Sequence, residues 1–107
     1  MSPLWRIRLG RRAERDLAEI LIWTSKSFGP AQARTYAQTI SQAIQALQQG
    51  PDILGVRLRD DVEPGIRTLH VARAGQKGHH FVVFRVSVNE CIDVLRLLHD
   101  SMDLKWH

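Results

Sequence analysis

The side chains best suited to chemistry lie in the second half of the chain: Arg67, Arg85, Arg96 and His99, with His79 and His80 nearby. Histidine and arginine on a sheet are the types that RNA cleavage would need. That reaction takes a base at the ribose 2′-OH, an acid at the leaving oxygen and cations for the phosphorane charge. The simpler reading makes Arg85 and Arg96 sheet residues paired with carboxylates such as Asp93 or Glu90. No glycine-rich phosphate loop, zinc-ligand spacing, nucleophile elbow or paired-carboxylate arrangement is present. His79 and His80 are adjacent, so a strand points them to opposite sides and they cannot share a metal. The run Asp60-Asp61-Val62-Glu63 lacks the spacing of a calcium loop. Neither a metal nor a cofactor is expected.

These residues need strands to hold them. Residues 79–99 read as two strands around an Asn89-Glu90 turn, since Asn tolerates the positive φ of tight hairpins. The second strand, Cys91 to His99, is apolar at nearly every position, so it is covered on both faces or central in a sheet. Residues 66–72 form a further strand, and residues 51–65 a solvated loop. At the other end, residues 4–9 alternate Leu4, Arg6 and Arg8 with Trp5, Ile7 and Leu9, giving one basic and one apolar face. Residues 11–27 carry Ala13, Leu17, Ile20, Leu21, Thr24 and Phe28 at helical spacing, with Trp23 expected to pack beside Ile20. Pro30 opens a second helix with Ala33, Tyr36, Ala37, Ile40, Ala43, Ile44 and Leu47 on one face, stopped by Gly50-Pro51. The order β-α-α-β-β-β predicts an α+β fold: an antiparallel sheet with an N-terminal helical hairpin packed on one face.

Composition fits a single domain spanning residues 1–107, with 44% hydrophobic and 24% charged residues. The formal charge is +4. Residues 1–15 hold Arg6, Arg8, Arg11, Arg12 and Arg15 against Glu14, while the remainder balances at ten of each sign. The basic character is therefore a patch, suited to a polyanion or an acidic partner, or to keeping a strand edge soluble. Cys91 is the single cysteine, which excludes an intrachain disulfide. With no signal peptide or membrane-spanning run, a cytoplasmic location and no membrane partner are expected.

Several strings, in order, resemble ParE-type toxins of the RelE/ParE superfamily from bacterial type II toxin–antitoxin modules. They are Ala13 to Ile20, Phe28-Gly29, the Tyr36 helix, Leu47 with Pro51, Gly65-Ile66-Arg67, Phe84-Arg85-Val86 and the closing Leu95 to Asp103. The resemblance implies a toxin neutralised by a cognate ParD-like antitoxin, reaching operator DNA only through the antitoxin complex. It implies a poison of DNA gyrase that catalyses nothing itself, of the kind used in plasmid stabilization. RelE-like relatives instead cut mRNA on the ribosome with basic residues and often a C-terminal Tyr or His. In that alternative Arg67, Arg85, Arg96 and His99 would be catalytic. This chain has a single tyrosine, Tyr36, on a helix, and three lysines, Lys26, Lys77 and Lys105, which favours the gyrase branch. The run Ile20-Leu21-Ile22-Trp23 is apolar on more than one face. Ile20 and Trp23, with Arg6 and Arg8, are thus expected to meet the antitoxin across the hairpin and the sheet edge. Leu104, Lys105 and Trp106, beyond the last strand, are expected to meet the target.

Overall fold

The 80–99 hairpin forms around an irregularity that the alternation does not show. In the computed structural model, which describes residues 4–102, His80–Ser87 pairs antiparallel with Cys91–His99. The register shifts at Val83/Phe84: Val83 lies opposite Arg96 but Phe84 opposite Val94, so Leu95 is an extra residue in the ladder. This β-bulge changes the phase of the strand. Val94 and Leu97, three apart, both join the cluster under the helices, while Leu98 joins the cluster on the other face. An apolar residue at nearly every position is what a strand buried on both faces and bulged in the middle requires. At the hairpin tip Asn89 and Glu90 both take positive φ, 59° and 53°.

Around this hairpin the chain runs β1 (Arg6–Leu9), α1 (Arg11–Phe28), α2 (Pro30–Ala46), a 3-10 turn at Leu47–Gln49, β2 (Arg57–Leu58) and β3 (Ile66–His70). The hairpin strands are β4 and β5, and the sheet order is β1-β5-β4-β3-β2. The fold class is the one expected, α+β with a helical hairpin on one face. Two details differ. β1 joins parallel to β5, Arg6 opposite Cys91 and Leu9 opposite Val94, so the sheet is mixed. The 51–65 segment, whose composition predicts a loop, contains β2, whose two residues pair with Arg67 and Thr68; a strand so short leaves no periodic signal.

Gly29 separates the helices with φ 97°, which glycine adopts without strain, and Pro30 opens α2 at its first position. Ala13, Ile40, Ala43 and Leu47 press on Leu69, Val82, Phe84, Ile92, Val94 and Leu97. Each buried Leu or Ile there contributes roughly 1.5–3 kcal/mol. Among the described residues no helix covers the opposite face, where Ile66, Val83 and Leu98 cluster with Val62, Phe81 and Leu95. Trp23, expected to pack, stays 62% exposed, because α1 buries Ala13 and Thr24 instead.

One carboxylate fastens α1 to the sheet. β1 ends opposite Val94, so beyond that point β5 is paired with β4 alone and its other edge has no strand beside it. The Leu97 N–H on this bare stretch donates to Asp16 Oδ2 at 2.9 Å. Arg96 Nε and Nη2 donate to the same carboxylate at 2.8 and 3.1 Å. Both side chains are largely withdrawn from water, 19% and 12% exposed for Arg96 and Asp16. Removing the acceptor strands a guanidinium and a backbone donor together. Asp16→Ala is expected to cost about 2–3 kcal/mol, lowering the melting temperature by roughly 10 °C, with Asp16→Asn intermediate in the same thermal melts.

Candidate functional site

The sheet disperses the candidate catalytic residues. Directly paired residues share a face. Arg67 lies opposite Phe84 and so on the helix-covered side, whereas Arg85 lies opposite Ile66 and Asp93 on the uncovered side. Each has an acidic neighbour: Arg67 reaches Asp52 at 3.5 Å, Arg85 reaches Glu63 at 3.3 Å and Arg96 holds Asp16. The carboxylate pairing read from the sequence is right in kind, but Asp93 pairs with Arg8 instead, at 2.7 and 3.0 Å. That exposed bidentate pair holds the Asp93 carboxyl below its usual range, chiefly through the hydrogen bond.

His99 ends β5 opposite His80, in a cluster that sequence reasoning did not assemble. Its hydrogen bonds fix the tautomers. His70 Nδ1 accepts from the Ala72 N–H at 2.9 Å, so its Nε2–H donates to Asp100 Oδ2, also 2.9 Å away. His99 Nδ1 accepts from the Ser101 N–H at 3.1 Å and lies 2.7 Å from Ser101 Oγ. Tyr36 Oη accepts from the His79 N–H at 3.0 Å, and its own proton goes to His80 Nδ1 at 2.6 Å. All three imidazoles thus use Nδ1 as acceptor and keep the proton on Nε2.

Burial, and then His99, push His80 down to about 4, while burial pushes the Tyr36 phenol up. The hydrogen bond from His70 leads the causes that hold Asp100 below the carboxylate range. The group ties α2 to the ends of β3, β4 and β5. Tyr36, a polar-tipped residue on a buried helix face, was its one signal in the sequence. Among the described residues no group of three or more His, Cys, Asp or Glu is arranged to hold a metal ion.

The expected partner residues fall at two ends of the molecule. Arg6 and Arg8 stand exposed on the edge strand β1, with Arg8 engaged by Asp93 and Arg6 without an acidic neighbour among the described residues. Ile20 and Trp23 lie on α1 beside the cleft that His80 and His99 line. Leu104, Lys105 and Trp106 lie outside the described residues. No helix among the described residues is long and apolar enough to cross a membrane.

Residues 7–104 match the family model of the ParE toxin of the type II toxin–antitoxin system parDE. The chain belongs to the ParE toxin family. Among curated ParE proteins it is similar to Toxin ParE1 of Caulobacter vibrioides, 31% identical over 101 residues and 94% of each chain. It is likewise similar to Toxin ParE1 of Mycobacterium tuberculosis, 33% identical over 99 residues, with 92% of this chain and 93% of that one covered. A solved chain of the chromosomal ParDE system of P. aeruginosa superposes with a TM-score of 0.76 at 28% identity, covering 92% of this chain and 98% of that one. A chain of the RelBE2 toxin–antitoxin complex of M. tuberculosis, at TM-score 0.57 and 21% identity over 90% of this chain and 98% of its own, shares the fold. As a ParE family member, the chain is a toxin of a type II toxin–antitoxin system.

The histidine cluster gives this ParE chain a pH dependence whose sign follows from His80. Its folded value of about 4 lies below the ordinary 6.5, so the unfolded chain binds the extra proton. Above pH 6.5 His80 is neutral in both states. As pH falls from 6.5 toward 4 stability is lost, by about 1–2 kcal/mol once the half-exposed position is discounted for solvent screening. Thermal melts across this range should show the decline, and His80→Gln should flatten it. Asp93 and Asp100 add their losses only around and below 3.8.

Proposed function

We propose that the chain is a toxin that poisons DNA gyrase, blocks replication from within the cytoplasm and is neutralised by a ParD-like antitoxin. The observation that carries this reading is the family match over residues 7–104, joined by the similarity to a chain of a ParDE system. Further support comes from the candidate nuclease side chains. Arg67, Arg85 and Arg96 each face a carboxylate, the first two on opposite sides of the sheet, and His99 Nδ1 is occupied by Ser101. Cations so placed are poorly disposed to stabilise one phosphorane.

The test is a cleavage assay with purified gyrase and supercoiled plasmid. Covalently trapped, cleaved DNA is expected. Gyrase left untouched while ribosome-bound mRNA is cut would replace this reading with the nuclease one. Deleting residues 104–107 is expected to abolish trapping while antitoxin binding persists; full trapping by the shortened chain would remove the tail from the mechanism.

The antitoxin is proposed to use Arg6, Arg8, Ile20 and Trp23. Because these lie at opposite ends of the α1 side, one antitoxin segment reaching all of them must wrap the β1 edge. An acidic stretch would meet the arginines, and apolar side chains would cover Ile20 and Trp23, the latter 62% exposed. Arg6→Glu, which breaks no ion pair among the described residues, is expected to weaken antitoxin binding by roughly tenfold at low salt and less at high salt. Equal affinity under both conditions would remove Arg6 from the interface.

A further inference from the structure

A cleft of about 1040 Å³ lies between the helical hairpin and the His80 and His99 end of the sheet. Part of its lining is aromatic. Trp23 and Phe28, 62% and 64% exposed, meet edge to face with ring centroids 5.7 Å apart at 74°. Another part is the Gly75-Gln76-Lys77-Gly78 segment that joins β3 to β4. Among the described residues, the N–H groups of Lys77 and Gly78 meet no acceptor.

This segment is held in place. A Cβ on Gly78 would strike Val71 Cγ2 and lie 3.0 Å from Tyr36 Cε1, so only glycine lets the chain pass so close to the phenol ring. The next residue, His79, donates its N–H to Tyr36 Oη at 3.0 Å. The lining also includes His80 and His99, whose engaged Nδ1 atoms leave Nε2–H as donor, and the Glu19 carboxylate.

An apolar ligand would leave Lys77, the open amides and the imidazole donors unused. A bare anion would leave the aromatic pair unused. A planar ring carrying a phosphate uses both. We propose that this cleft binds a nucleoside phosphate, its base stacked on one ring of the Trp23–Phe28 pair and meeting the other edge on, and its phosphate on Lys77 and the adjacent backbone amides. Glu19 accepts hydrogen bonds only, from a base amino group or a ring N–H alike, so the preference among bases comes from stacking, where a purine covers more of the aromatic pair than a pyrimidine. The same unit occurs in free nucleotides and in single-stranded nucleic acid, where stacking on aromatic side chains is the common sequence-tolerant contact.

Isothermal titration of the full chain with AMP, UMP, ribose 5-phosphate and a short single-stranded oligodeoxyadenylate tests this. AMP should bind saturably, UMP more weakly and ribose 5-phosphate not measurably. Phe28→Ala and Lys77→Gln should each weaken AMP by roughly tenfold, with melting temperatures unchanged as the control for folding. An oligonucleotide that binds much more tightly than AMP would identify nucleic acid as the source; equal affinity would identify the free nucleotide. The proposal is overturned if neither AMP nor the oligonucleotide binds saturably at millimolar concentration, or if binding survives both substitutions.

Discussion

A sheet of this kind must end its edges somewhere, and here the solution is Asp16. β1 is too short to accompany β5 along its whole length, leaving backbone donors facing the helices with no strand to receive them. An unpaired buried N–H costs about as much as a lost hydrogen bond. Asp16 accepts that donor and neutralises Arg96 with the same two oxygens. Its position on α1 sets the height at which the helix crosses β5, and the apolar contacts of Ala13 and Leu17 follow from it. The hydrophobic core supplies most of the free energy. The carboxylate supplies the alignment, because only one placement of the helix satisfies all three bonds.

The same economy governs the other polar groups. Arginines that could serve a nuclease are held by carboxylates, and imidazoles that could move protons accept backbone or phenol hydrogens on Nδ1. Charged and polar chemistry is thus largely committed to joining elements together. What stays uncommitted is surface: Arg6 on the edge strand, without an acidic neighbour among the described residues, and the exposed Ile22, Trp23 and Phe28 on the outer side of α1. Such surfaces suit a protein whose activity is contact with others.

Periodicity made most of the fold legible. Both helices, their glycine and proline boundaries, and the 80–99 hairpin follow from spacing and turn residues. The bulge at Leu95 is invisible to a period-2 reading, because a run of apolar residues reads alike with or without a change of phase. The parallel placement of β1 depends on where the helical hairpin returns the chain, which no local pattern encodes. The surplus in Ile20 to Trp23 is legible, since a helix on one sheet face cannot bury four consecutive apolar residues; that Trp23 is among those left exposed, and does not pack beside Ile20, is not, because spacing alone does not say which are left out. For the site, residue types suggested His99, Arg85 and Arg96, but their partners Ser101, Glu63 and Asp16 include two from distant segments. Tyr36 and His80 are 44 residues apart, and nothing in either neighbourhood announces the bond between them.

The parallel pairing of β1 with β5 also orders events in time. Arg8 meets Asp93 at a sequence separation of 85, nearly the whole chain. A contact of that separation closes a long loop and forms late. On the ribosome, the strand made first must wait for the strand made last before it can enter the sheet. The helical hairpin and the β4–β5 hairpin are local and can form beforehand. Until β5 has emerged, Arg6 and Arg8 belong to a loose leading segment, not to a surface. A nascent chain therefore offers its outer α1 side before its arginine edge, and a binding partner present during synthesis meets the two halves of the surface one after the other.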